Sequence, residues 1–235
     1  SALSECAGRQ RKCNARCSES DYLLISHDHW DHLDYATATA LRSKVGQVVC
    51  PLGVGAHFEA WGYGKETVFE GDWYSVLEGK DGFAIHILPA RHFSGRSLTR
   101  NKTLWAGFAL VTPERRIFFS GDSGYGKHFA EIGARFGGFD LAMLDCGQYD
   151  ENWRYVHMMP EDTAQAAEDL RARALLPGHV GKFAIAYHTW DDPFKRIVAA
   201  SRGKPYRLLL PLIGEPVALP IASDGEILRW WEAGR

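Results

Sequence analysis

The stretch "LLISHDHWDH", Leu23–His32, decides how this chain is read. An apolar run, which reads as the end of a buried strand, gives way at once to His27, Asp28, His29, Asp31 and His32. Five ionisable groups in six residues are too many for an ordinary polar turn, because burying them unpaired is costly. His27, His29 and Asp31 alternate, so an extended backbone points them the same way. Asp31 and His32 are adjacent, point differently and are able to serve two centres. A structural zinc takes four ligands, usually rich in cysteine, whereas histidine and aspartate suit a catalytic metal with open positions. The stretch is therefore predicted to bind metal.

The same arrangement recurs downstream. His92 follows "ILPAR", Asp122 follows "IFFSG" and His179 follows "ALLPG". Each comes straight after an apolar strand, where loops collect catalytic groups. Alone, each reads equally well as a turn residue. Together with the first cluster they make seven candidate ligands: His27, His29, Asp31, His32, His92, Asp122 and His179. That is too many for one zinc and suits two that share a bridging carboxylate.

Around these positions strands alternate with helices. "DYLLIS", "QVVCPLG", "GFAIHILPA", "FDLAMLDCG" and "ALLPGH" read as strands, and "LWAGFALVT" with "RRIFFSGD" as a hairpin around Pro113. "DYATATALRSK", residues 53–61, "GKHFAEIGARF", "PEDTAQAAEDLRAR" and "DDPFKRIVAASRG" read as helices, the last two opening on proline and acids. "YRLLLPLIGEPVAL" reads as strand and loop. The alternation predicts an α/β domain with mixed sheets.

Composition sets the outer bounds. The chain has 235 residues, 46% hydrophobic and 24% charged, enough for a substantial globular core. A net charge of −2 offers no bulk attraction for nucleic acid or an anionic membrane. No apolar run approaches the roughly 18 residues of a membrane span, and no signal-peptide core stands at the start. Cys6, Cys13 and Cys17 crowd an unpatterned head, residues 1–20, without a CxxC pair; an incidental set of thiols is the expectation there, rather than a metal clip. A reducing, cytoplasmic location follows by default.

"SHDHWDH" matches the HxHxDH motif of the metallo-β-lactamase-fold hydrolases. Within that superfamily the chain resembles the phospholipase D family that hydrolyses N-acylphosphatidylethanolamines, and its bacterial relatives. The blocks that carry the resemblance are "ISHDHWDHLD", "PARHFSGRS", "FFSGDSGYG", "CGQYDENWRYVHMMPEDTAQAA" and "LPGHVGKFAIAYHTWDDP", with "IGEPVAL" near the end.

The resemblance implies an αββα sandwich of two mixed sheets over residues 21–235, with a di-zinc site at the sheet edges. It implies that His27, His29 and His92 hold one zinc, that Asp31, His32 and His179 hold the other, and that Asp122 bridges them. His157, in "VHMMPE", matches a family histidine that acts on the substrate; capping of the helix that starts at Pro160 is its other reading. The activity implied is hydrolysis of a phospholipid phosphodiester by hydroxide that the zincs make available, with contact at a membrane periphery and no nucleic-acid partner. A lactonase of the ascorbate-phosphate type and an inactive metal-binding fragment are the alternatives. Family members carry a long segment before the motif, so an N-terminally truncated form is expected. Oligomeric state stays open, a homodimer among the options.

Overall fold

A computed structural model describes residues 20–96, 98–181, 185–219 and 229–232. Cys6, Cys13 and Cys17 lie outside the described residues. The chain divides into two compact units, one made of residues up to Ser75 together with Phe93–Ala106, the other of Val76–His92 and Gly107 onward.

The first unit holds a three-stranded sheet in the order β1-β2-β3, with β1 Ser20–Leu24, β2 Val45–Pro51 and β3 Val68–Gly71. Among the described residues its pairings are parallel. Parallel neighbours need crossovers, and α1 (Tyr35–Leu41) and α2 (Gly55–Ala60) supply them. Asp34 caps α1 by accepting from the Thr37 N–H at 2.7 Å. Val48 and Cys50 of β2 are wholly buried and pack with Leu33, Val54 and Phe58. Sequence and core agree here: "VVCP" is a continuous apolar run, as a strand covered on both faces requires.

The second unit holds a seven-stranded sheet in the order β10-β9-β8-β7-β6-β5-β4. Its strands are β4 Val76–Glu78, β5 Ala84–Leu88, β6 Gly107–Val111, β7 Arg116–Phe119, β8 Leu141–Asp145, β9 Ala174–Gly178 and β10 Arg207–Leu208. The β6–β7 hairpin turns at Pro113, where the Thr112 N–H donates to the Arg115 carbonyl at 2.8 Å. Helices α3 (His128–Phe136), α4 (Pro160–Asp169) and α5 (Asp192–Ala200) complete the unit. Phe118, Phe129, Ile132, Leu144 and Leu175 form the centre of its core. Full burial of each such side chain is worth roughly 1.5–3 kcal/mol.

Two boundaries fall short of expectation. "LRAR" was expected to continue α4, but the helix ends at Asp169; Arg171 turns to a φ of +53°, and Ala172 already pairs with Phe139. "YRLLL" yields only a two-residue strand, because beyond β10 just the Leu209 N–H continues the ladder, onto the Leu175 carbonyl.

Strand direction decides what the sheet can present. β7, β8 and β9 run parallel, and β5 is antiparallel to β6, which is antiparallel to β7. β5, β7, β8 and β9 therefore all point the same way, and the loops after them leave one edge of the sheet. Those loops carry His92, Asp122 and His179, and Asp145 closes β8 at the same edge.

Candidate metal centre

In the first unit the motif begins where β1 ends. Ser26 and His27 are buried, and the Ser26 hydroxyl lies 3.0 Å from His27 Nδ1. That contact orients the ring and turns Nε2 toward His29, whose Nδ1 is 3.0 Å away. The His32 ring lies 4.3 Å from that of His27, centre to centre. The backbone does not stay extended through the motif: the His32 and Leu33 N–H groups both donate to the His29 carbonyl. This turn is what gathers His27, His29 and His32, with Asp31 Oδ2 3.4 Å from His32 Nε2.

Asp28, between the two histidines, faces elsewhere. Its Oδ1 accepts from the Gly95 N–H at 2.8 Å, and its Oδ2 is 3.6 Å from His57 Nε2. Burial pushes its carboxyl pKa up, but the His57 and Gly95 bonds outweigh that and hold it below the usual carboxylate value. Asp28 thus fastens the motif to the 93–106 segment.

In the second unit Asp122 Oδ2 lies 3.7 Å from His92 Nε2 and 3.6 Å from His179 Nε2. Both separations exceed a hydrogen bond. They are close to the spacing of two ligands on one ion, since donors about 2.0–2.1 Å from a metal stand roughly 3.3–3.6 Å apart at tetrahedral to trigonal angles. His92 Nδ1 donates to the Val156 carbonyl at 2.9 Å, so Nε2 of the neutral ring presents a lone pair to Asp122. With the ring neutral, two acceptors would face each other there, an arrangement that a cation between them would stabilise. The donor set fits a metal.

Asp145, at the end of β8, organises the other side of this group. Its Oδ2 accepts from the Ser123 N–H at 3.2 Å and from His157 Nδ1 at 2.9 Å, and its Oδ1 lies 3.6 Å from His179 Nδ1. Burial alone would raise its pKa; the charges and hydrogen bonds of His157 and His179 reverse this and keep it ionised. For His157, burial lowers the pKa, and the Asp145 carboxylate outweighs it and raises it. His157 stacks on His179 with ring centres 5.3 Å apart and planes 4° apart. It does not cap α4: Met159 holds the N-cap position.

His179 itself sits at a φ of +60°, and its carbonyl lies where a side chain on residue 147 would project, 2.0 Å from an ideal Cβ. Gly147 is therefore required by this close approach. Next to it, Gln148 Oε1 accepts from the Ile185 and Ala186 N–H groups, tying the β8 loop to the segment beyond His179.

Within the second unit, then, His92, Asp122, His157 and His179 converge, and within the first, His27, His29, Asp31 and His32. Sequence reading missed Asp145 and Asp28. Asp145 carried a signal, for "AMLDCG" ends a strand on an aspartate just as "IFFSGD" does. Asp28 carried none, since its partners come from residues 57 and 95.

Residues 5–180 match the family described as the beta-lactamase superfamily domain, and the chain belongs to that family. It has the metallo-β-lactamase fold and is a member of a hydrolase superfamily. It is 42% identical over 215 residues to protein Rv0906 of Mycobacterium tuberculosis, a match that covers 90% of this chain and 57% of that one. It is 35% identical over 187 residues to the mitochondrial N-acyl-phosphatidylethanolamine-hydrolyzing phospholipase D of Saccharomyces cerevisiae, covering 75% of this chain and 40% of that one. The chain thus spans about half the length of these relatives. Among solved structures, Igni18, a metallo hydrolase of Ignicoccus hospitalis, aligns with a TM-score of 0.63 at 18% identity, over 82% of this chain and 76% of that one.

Proposed function

We propose that this chain is a two-metal hydrolase that cleaves a phosphodiester in a phospholipid of the N-acylphosphatidylethanolamine kind. In this reading His27, His29 and His92 hold one zinc, Asp31, His32 and His179 hold the other, and Asp122 bridges. The observation that carries it is Asp122 Oδ2, set 3.7 and 3.6 Å from the two histidine nitrogens that would belong to different ions. The family's motif, whose ligand order this chain reproduces, supports joining the two sets of residues into one centre.

When bound, two such ions supply a hydroxide nucleophile near neutral pH and neutralise charge that grows on the phosphoryl oxygens. The remaining work falls to the chain. Asp145 fixes His157 by its Nδ1 and leaves Nε2 to act on the substrate. From there His157 hydrogen-bonds a phosphoryl oxygen or gives a proton to the departing alkoxide, a poor leaving group that needs it. Water adds across the P–O bond, and the products are phosphatidic acid and an N-acylethanolamine.

The lipid assignment draws on the yeast relative and on an apolar cavity of about 310 Å³ beside His179, lined by Leu176, Val180, Phe194, Leu210 and Trp230 among others. That volume falls at the lower end of ligand sites. Among the described residues no helix is long and apolar enough to cross a membrane. The substrate would be met at a lipid surface.

The test is a substrate comparison on metal-loaded protein: an N-acylphosphatidylethanolamine against a lactone, with release of phosphatidic acid followed by mass spectrometry. Phosphatidic acid is expected, at a rate that chelation abolishes. Turnover of the lactone alone would refute the phosphodiesterase reading, and turnover of both substrates undiminished by chelation would refute the metal reading.

A further inference from the structure

Beside the motif, within the first unit, lies a cavity of about 390 Å³ whose lining includes His29, Trp30, Asp31, Phe93, Arg96 and Arg100. Arg96 is held in place there by backbone carbonyls and rings, with the carboxylates of Asp28 and Asp34 near enough to favour its charged form. Its Nη1 donates to the backbone carbonyls of Asp28 at 2.9 Å and Leu33 at 2.5 Å, which uses both hydrogens of that nitrogen. Its guanidinium lies 3.9 Å from the centre of the Trp30 ring, which is 67% exposed, and 5.6 Å from that of Trp61. The carbonyls and rings fix the plane of the guanidinium. Nε and Nη2 take no part in these two bonds and carry three further N–H groups, the fork available to a ligand. Arg100, stacked 5.2 Å from the Phe93 ring, adds a second cation to the lining.

We infer that Arg96 selects for substrates whose reacting group carries negative charge, by donating to a non-bridging phosphoryl oxygen from its place on Trp30 and beside the motif. A preset guanidinium fork matches phosphate in shape as well as charge, and its hydrogen bonds to anions are about twice as strong as neutral ones. Asp31 in the lining and the nearby Asp28 and Asp34 carboxylates would oppose this; Asp28 is already engaged by the Gly95 N–H and His57, and the charge of Asp31 would be offset by a metal ion if it held one. Neutral esters and lactones gain nothing from the fork. The inference deepens the phosphodiesterase reading and rests on it for the reaction, but not for anion binding itself.

Two measurements test it. The first compares hydrolysis of bis(p-nitrophenyl) phosphate, an anion, with that of its neutral methyl triester, which keeps the same leaving group. Arg96→Met is expected to lower kcat/KM for the diester about ten- to a hundred-fold more than for the triester. Arg96→Lys, which retains the charge but not the fork, is expected to recover part of the diester rate. Equal losses on both substrates would assign Arg96 a purely structural role and overturn the inference.

The second measurement needs no turnover. Inorganic phosphate is titrated into the protein while tryptophan fluorescence is followed, since an anion on Arg96 perturbs the indole beneath it. A saturable change is expected that is weakened at least tenfold in Arg96→Met and largely lost in Trp30→Phe. Phosphate binding unchanged by Arg96→Met would overturn the inference. If Arg96→Met fails to fold, Arg96→Lys and Trp30→Phe carry the decision: phosphate response and diester preference identical to the parent protein in both would overturn it. Absence of diester turnover in the unsubstituted protein would refute the phosphodiesterase reading, while the phosphate titration would still decide for or against Arg96.

Discussion

Lowering the pH should weaken the fold through His128, by an amount that can be worked out. His128 opens α3, its Nε2 lies 3.3 Å from the Ser123 hydroxyl, and its ring packs 4.1 Å from that of Phe129. Burial pushes its pKa down from the ordinary 6.5 to about 4, helped by the positive charge of Arg91 and opposed by Glu131. The folded protein thus prefers the neutral ring. The stability this confers is fully present above 6.5 and is lost as pH falls from there toward 4, because the unfolded chain takes up the proton first. Between pH 7.5 and pH 5 the loss comes to about 2 kcal/mol, a figure that changes little if the folded pKa lies a unit higher or lower. Urea unfolding of chelated protein at several pH values measures it, with His128→Gln as the reference that cannot titrate. The parent protein should lose about 2 kcal/mol more than the variant over this range. Parallel stability curves, or a parent that loses less than the variant, would refute the reasoning. Since Ser123 follows Asp122 directly, the same experiment reports on the loop that carries the bridging carboxylate.

Other substitutions probe the site and its frame. His157→Ala should retain metal, by elemental analysis, and lose about 10²–10⁴ in rate on a phosphodiester with a poor leaving group, less on an activated one; loss of metal would make it a ligand instead. Asp122→Ala should lower metal content more than any other single ligand change, since it removes the carboxylate that would screen two cations from each other; full metal occupancy by elemental analysis would contradict the bridge. Gly133→Ala places a Cβ 2.2 Å from the Asp169 carbonyl oxygen, where α3 meets the end of α4. Backbone must move, so a net loss of about 2 kcal/mol is expected in a thermal melt despite the better helix former.

Much of this was legible because ligands and strands share one grammar. Each expected ligand stands just past an apolar run, and an apolar run bounded by glycine or proline is the clearest local signal of a buried strand. What could not be read is what depends on partners far along the chain. Asp145 stood in the right place but, without His157 and His179 beside it, looked like any polar residue closing a strand. Asp28 lies inside the motif and serves another purpose, because Gly95 and His57 reach it. The alternation of His27, His29 and Asp31 aligns them only on an extended backbone, and the chain instead makes a turn closed by the His29 carbonyl, a choice made by tertiary context. The overrun of α4 into "LRAR" has a similar source: helix propensity favours continuing, and the pairing of Ala172 with Phe139 stops it.

The first unit is not a continuous piece of chain, for Phe93–Ala106 belongs to it although Val76–His92 does not. On the ribosome this has a direct cost in time. The motif cannot gain the Gly95 and Arg96 contacts that anchor Asp28 until the chain has been synthesised past them, and β5 must wait longer still for β6, its hydrogen-bonded neighbour. A protease cut or an early stop between residues 76 and 92 would release the histidine cluster without its anchor. An attempt to express either unit alone as one uninterrupted fragment should therefore fail, and dissection would need a short linker in place of the excursion.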